Sequence, residues 1–174
     1  LHSAHNVDLQ MGGSDQWGNI VAGIDLIRRT SGASAFGLTW PLLTKSDGTK
    51  FGKTASGAVW LDPERTSPYQ FRQFWLQTDD ADVRDRLLRF SLQPIEEIES
   101  ILTEHEAAPH ERAAQRSLAH ELTAMVHGEP AARAAGAAAA VLFGSDPREA
   151  DADAMAVVAG ELALTEVAAA DCAD

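Results

Sequence analysis

The sequence predicts an α/β segment followed by an all-α segment, and three observations carry that prediction. Near the front, Gly12-Gly13-Ser14-Asp15-Gln16-Trp17-Gly18-Asn19 is a glycine-bearing turn that opens into residues apolar at helical spacing. Next, Phe36 to Thr39 and Leu42-Leu43 are short apolar runs split by Pro41 and followed by the loop Asp47-Gly48-Thr49-Lys50-Phe51-Gly52-Lys53-Thr54. Beyond Trp60-Leu61-Asp62 the pattern changes to amphipathic stretches with short, punctuated joints.

Taken in order, Ser14 or Asp15 is expected to cap a first helix on which Ile20, Val21, Ile24 and Ile27 recur at helical intervals. Arg28-Arg29 in its last turn and Gly32 behind it are stop signals. Phe36 to Thr39 reads as a strand, Pro41 as a break and Leu42-Leu43 as continued extended chain, because proline cannot donate to a ladder. Helix, strand and loop in that order fit one βα half of an α/β nucleotide fold. Ser67-Pro68 is a cap with a first-turn proline, and it sets Phe71, Phe74 and Trp75 on one face. Asp79 or Asp80 heads a second helix carrying Val83, Leu87 and Phe90. Pro94 begins a third with Ile95, Ile98, Ile101 and Leu102, and a fourth runs from Pro109 to Val126 with Leu118, Leu122 and Met125. Each stripe reads as bundle core. From Ala131 to Ala140 the chain is nearly all alanine, with high helix propensity and little to bury. The acidic, alanine-rich stretch beyond Gly144 reads as a helical linker or partly ordered tail.

The 174 residues, 45% of them apolar, are enough for one domain or two small ones. No run is long enough to cross a bilayer and no basic-then-apolar leader opens the chain. The single cysteine, Cys172, excludes an internal disulfide framework and suits a reducing, cytoplasmic setting. Net charge is −12 and uneven: residues 1–60 hold five Lys/Arg against four Asp/Glu, while 128–174 hold two against nine. That distribution argues against broad, sequence-blind adhesion to nucleic acid and leaves room for an RNA gripped at local basic points. His2 and His5 lie one helical turn apart, with no third or fourth ligand beside them in the sequence. They read as surface histidines, and no metal site is expected.

Chemistry concentrates in the two glycine-bearing segments. Lys50 and Lys53 place two ammonium groups three residues apart on a loop freed by Gly48 and Gly52, a pattern able to close on a polyphosphate. The spacing is not that of a P-loop, because three residues rather than four separate Gly48 from Gly52 and position 47 is Asp. A lone lysine–glycine turn would be an ordinary surface hairpin; its pairing with the turn at 12–19 suggests an enzyme handling the phosphates and sugar of a nucleotide. Gly12 and Gly13 allow close backbone approach, and Asp15 offers either acceptors for ribose hydroxyls or a helix cap.

At these residues the chain resembles the bacterial tyrosine–tRNA ligase family of class I aminoacyl-tRNA synthetases. Lys50-Phe51-Gly52-Lys53-Thr54 resembles the family's Lys-Met-Ser-Lys-Ser signature, and Leu9-Gln10-Met11-Gly12-Gly13-Ser14-Asp15-Gln16-Trp17-Gly18-Asn19 its second nucleotide-site segment. Phe36-Gly37-Leu38-Thr39-Trp40-Pro41-Leu42-Leu43-Thr44 and Thr66-Ser67-Pro68-Tyr69-Gln70-Phe71 are similar at matching places, and the likeness runs from Leu1 to about Gly144. The family's upstream His-Ile-Gly-His signature is absent. His2-Ser3-Ala4-His5 lacks its glycine, and the chain opens on Leu1, so it reads as the carboxyl-side portion of a longer protein.

The resemblance implies the carboxyl-side portion of a Rossmann-type nucleotide-binding domain over 1–60, an anticodon-binding-like helical domain over 61–144 and a tail over 145–174. It implies ATP-dependent activation of L-tyrosine and transfer to tRNA(Tyr) by a cytoplasmic homodimer, with ATP and Mg2+ entering as substrate and no prosthetic group. Catalysis would fall to Lys50, Lys53 and Thr54. Gly12, Gly13, Asp15, Leu42, Leu43 and Lys53 would bind ATP or adenylate, and Gln10 and Gln16 would orient tyrosine or adenylate. Trp17 reads as packing. Arg84, Arg86, Arg89, Arg112 and Arg116 could meet RNA phosphate or pair with acidic neighbours such as Asp82 and Asp85. The competing reading is a non-catalytic tRNA- or nucleotide-binding fragment of such an enzyme.

Overall fold

The computed structural model describes residues 1–44, 51, 53–54 and 57–163, with 53, 54 and 57 described by their backbone alone. The chain divides into two compact units, Leu1–Phe51 and Gly52–Asp174.

In the first unit a single-turn α1 (His2–His5) leads to β1 (Leu9–Gly13), a 3-10 turn (Ser14–Gln16), α2 (Trp17–Ser31) and β2 (Phe36–Trp40). The strands pair in parallel, with Leu9 opposite Phe36 and Gly13 opposite Trp40. The sequence reading assigns no strand to Leu9–Gly13, because the glycine pair dominates its local pattern. The signal passed over is the period-two alternation of Val7, Leu9 and Met11. Gly37 decides how α2 seats on the pair. A Cβ there would stand 2.5 Å from Ile20 Cγ2 and 3.2 Å from Ile24 Cδ1, so the helix lies directly over bare β2 backbone. Ile20 is buried beneath it. The other sheet face presents Leu9, Met11, Phe36, Leu38 and Trp40, each between 46% and 63% exposed.

The stop of α2 follows its sequence signals: Gly32 takes φ 68° and its N–H donates to the Arg28 carbonyl, while Arg28 and Arg29 both pair with Asp25. Its start differs from expectation. Gln16 is the N-cap residue, no side chain caps the helix, and Ser14 and Asp15 sit in the preceding 3-10 turn.

The second unit opens on a two-stranded antiparallel ribbon, β3 (Lys53–Thr54) with β4 (Gly57–Ala58), in which Lys53 faces Ala58. Among the described residues six helices follow: α3 (Pro68–Leu76), α4 (Asp80–Phe90), α5 (Ile95–Ala107), α6 (Ala113–His127), α7 (Glu129–Leu142) and α8 (Ala152–Glu161). Ser67 caps α3 as its sequence requires, accepting from the Gln70 N–H at 3.1 Å with Pro68 in the first turn. The expected stripes supply the core except at Ile95 and Met125, which are 57% and 49% exposed because they sit at the first and last turns of their helices. Phe71, Trp75, Val83, Leu87, Ile98, Leu102, Leu118 and Leu122 are all buried, and Trp75 meets Phe71 and Phe90 edge-on. The fourth expected helix is interrupted at its start: Pro109–Glu111 is a 3-10 turn and Arg112 takes φ 54° before α6 begins. The guanidinium of Arg112 donates to the Leu76 and Thr78 carbonyls at 2.7 and 3.1 Å, satisfying acceptors at the end of α3 and offsetting the left-handed backbone.

The alanine run corrects an expectation. Ala132, Ala135 and Ala138 are fully buried, because α7 packs against α3, α6 and α8 at once. Small side chains let the helix backbones approach, so burial here comes from proximity rather than side-chain bulk. Beyond Gly144, α8 buries Ala154 and Val158. Its Glu161 carboxylate accepts from Ser67 Oγ and from Gln70 Nε2 at the first turn of α3. Among the described residues no helix is long and apolar enough to cross a membrane.

Candidate active site

In open parallel sheets, ligands bind beyond the carboxyl ends of the strands. In the first unit those ends are Gly13 and Trp40, followed by the Ser14–Gln16 turn on one side and Pro41-Leu42-Leu43 on the other. Gly13 is the pivot. A Cβ placed there would stand 2.7 Å from Asp15 Oδ1 and 2.8 Å from Leu42 Cδ2, so the glycine backbone, a carboxylate and an apolar side chain converge on one spot. Gly12 is tight as well, with Gln16 Cβ at 3.3 Å and Ile20 Cδ1 at 3.5 Å. These glycines, expected to allow close ligand approach, also make room for Asp15, Leu42 and Gln16 by lacking side chains.

Asp15 had two candidate roles, and the geometry separates them. It caps no helix. Its Oδ2 accepts from Gln16 Nε2 at 3.3 Å, and Gln16 Oε1 accepts from Asn19 Nδ2 at 3.0 Å. The carboxylate is therefore steered by a short amide relay and stays exposed. An exposed carboxylate with a free Oδ1 edge can accept from a vicinal diol, and the relay holds Gln16 with its own amide oriented. Asn19 is the member of this relay that sequence reasoning did not single out; its one-turn spacing from Gln16 was the available signal.

Of the other expected site residues, Leu43 follows Leu42 at the strand end and the rest fall elsewhere. Gln10 is mid-strand opposite Gly37 and lines a cavity of about 250 Å³ with Ile20, Ile24 and Ile27, away from the strand ends. Leu43 accepts from the Phe51 N–H at 3.3 Å. Lys53 and Thr54 are the backbone of β3 in the second unit, and Lys50 lies outside the described residues. Trp17, expected to pack, is 55% exposed. His2 contacts the Val7 carbonyl at 3.1 Å and Asp8 Oδ1 at 3.4 Å.

The family model for tRNA synthetases class I (W and Y) matches residues 2–144. The chain belongs to that family. Among class I relatives, it is 61% identical over 150 residues to the tyrosine–tRNA ligase of Kineococcus radiotolerans, covering 86% of this chain and 36% of the relative. It is 56% identical over 147 residues to the tyrosine–tRNA ligase of Geobacillus stearothermophilus, covering 84% and 35%. A C-terminally truncated mitochondrial tyrosyl-tRNA synthetase of Aspergillus nidulans superposes with a TM-score of 0.66 at 32% identity, over 78% of this chain and 39% of that one. The chain thus spans about a third of the length of the curated relatives it matches.

Within this class I synthetase segment, the five arginines proposed from sequence divide clearly. Arg84 forms a two-point pair with Glu99 at 2.7 and 3.1 Å, and Arg89 pairs with Asp85 at 2.7 Å. Arg86 is buried against Asp85 at 2.9 Å and Asp82 at 3.7 Å. Arg112 is committed to backbone carbonyls. Arg116 is exposed and has no acidic partner among the described residues.

Proposed function

We propose that this chain is the carboxyl-side part of a tyrosine–tRNA ligase. Residues 1–60 would form the end of its Rossmann-type catalytic domain, 61–144 its helical domain and 145–174 the tail. The convergence of Gly13, Asp15 and Leu42 at the strand ends supports this reading most directly, in a chain that also carries Lys50-Phe51-Gly52-Lys53-Thr54. The full-length protein would act in the cytoplasm as a homodimer on L-tyrosine, ATP with Mg2+, and tRNA(Tyr), without a prosthetic group. In the first step a tyrosine carboxylate oxygen bonds to the α-phosphorus while the bond to the β-phosphate's bridging oxygen breaks and pyrophosphate leaves. In the second the adenylate's acyl group moves to the tRNA end and AMP departs.

No covalent enzyme intermediate is involved, so the protein's task is placement and charge stabilisation. Asp15 would accept from the ribose hydroxyls over Gly12 and Gly13. Leu42 and Leu43 would offer adenine apolar surface and backbone groups, and Gln16, with Gln10 farther along β1, would orient the tyrosyl or adenylate group. Lys50, Lys53 and Thr54 would hold the departing pyrophosphate more tightly in the transition state than in the ground state.

In the full-length protein, Lys53→Ala should slow adenylate formation about a hundredfold or more, on the order of 3 kcal/mol, with tyrosine affinity nearly unchanged. Single-turnover activation kinetics read both quantities. An unaltered activation rate would remove Lys53 from the chemistry.

A further inference from the structure

Most described arginines of the second unit are spoken for: Arg84, Arg86, Arg89, Arg133 and Arg148 by carboxylates, Arg112 by carbonyls and Arg65 by the Trp60 ring. Two are not. Arg72 on α3 is half-buried, and its Nε and Nη1 are buried without any hydrogen-bond partner. Arg116 on the facing helix α6 is near enough to repel it. Beside Arg72 on α7 lies Gly136, a break in the alanine run, where nothing comes nearer to an added Cβ than Arg72 Nε at 3.7 Å. With no side chain at Gly136, the Arg72 guanidinium lies over the backbone of α7.

We propose that Arg72 and Arg116, at the junction of α3, α6 and α7, form a binding site for a backbone phosphate of RNA. Two guanidinium groups that repel each other, neither with an acidic partner among the described residues and one partly stripped of water, are an unfavourable arrangement that a shared anion relieves. Guanidinium forks match phosphate oxygens, and the packed stem of Arg72 spares it most of the entropy of being fixed. Tyr69 lies one turn before Arg72 on α3. Burial, and then the Glu161 carboxylate, push its phenol up, so it stays protonated beside the cation. The anion is assigned to RNA because the ligase reading supplies a polyanion that other contacts can hold while one phosphate reaches this point. The assignment rests on the tRNA ligase reading and locates a contact for its largest substrate.

The test uses the full-length protein and a labelled tRNA(Tyr) transcript, with anisotropy titrations across a range of salt. Arg116→Gln and Arg72→Gln should each weaken binding about tenfold and lower the salt slope by about one. Arg116→Glu should weaken it further, and all three should leave tyrosine-dependent pyrophosphate exchange unchanged. Arg116 is exposed, so its variants keep the test alive if Arg72→Gln melts early. Unchanged affinity and slope in Arg116→Gln and Arg116→Glu, in an enzyme that still activates tyrosine, would sink the site and spare the ligase reading. A wild-type protein that neither activates tyrosine nor binds the transcript would sink both. Stabilisation of the wild type by inorganic phosphate, lost in Arg72→Gln with tRNA binding intact, would reassign the site to a free anion and overturn the proposal.

Discussion

The two units reach order by different routes. Among the described residues of Leu1–Phe51, Ile20 is the one buried hydrophobic side chain, while a row of apolar groups from Leu9 to Trp40 lines an uncovered sheet face. Parallel strands are ordinarily covered on both faces. The second unit holds a continuous core: Phe71, Trp75, Leu87, Leu102, Leu118 and Leu122 with the alanines of α7. The glycine–carboxylate cluster therefore sits on the unit with the thinner core, and the unpaired cations on the one with the fuller core.

This contrast can be broken at its strongest point first. Leu118→Ala, at a fully buried position, should cost about 3 kcal/mol, within the usual range of about 2–5 for such a truncation. Hydrogen exchange should show the loss across α3, α6 and α7 and leave β1 and β2 as they were. Equal deprotection of the strands would mean that the units are not energetically separate. Gly37→Ala probes the other side. Its Cβ would fall 2.5 Å from Ile20 Cγ2, so α2 must lift or Ile20 must move, at about 1–3 kcal/mol. Faster exchange confined to β1, β2 and α2, with an unaltered helical melt, is the expected result. An unchanged strand signal would deny that Gly37 seats the helix.

The smallest effect is electrostatic. His127 stacks edge-on against Phe71 at 5.0 Å, its Nε2 has no partner, and burial pushes its pKa below the ordinary value. The folded state therefore prefers the neutral ring. Its contribution is complete above the ordinary histidine value of 6.5 and is lost as pH falls from there through the lower folded value. Denaturant melts at about pH 7.5 and about pH 5.5 should differ in that direction. His127→Gln should flatten the difference, and a variant with the same pH slope would place the titration elsewhere.

Much of the helical unit was legible because its signals are local. Ser67-Pro68 starts α3 and the stripe through Phe71 and Trp75 is core, as spacing alone requires. β1 was not legible: Gly12-Gly13 is equally at home in a turn and in a strand whose neighbour packs close. Pattern also could not sort the arginines. Pattern gave Arg84 and Arg116 the same candidate role, and only the position of Glu99 on α5 makes one a neutralised pair, while the other has no acidic partner among the described residues. At the candidate site, Gly13 and Asp15 could be named from sequence, whereas the relay through Asn19 and the nearness of Leu42 could not.

By itself the amino-acid sequence determined where α3, α4 and α5 begin, where α2 stops, most of the apolar faces and which family the chain resembles. Those properties depend on residues within a turn or two of each other, or on short patterns. Which alanines are buried, which glycine seats a helix, whether Asp15 caps or stays exposed, and which cations lack a partner were decided by the tertiary structure alone. Each of these depends on an atom supplied by a distant part of the chain, and burial or charge compensation has no value until that atom arrives.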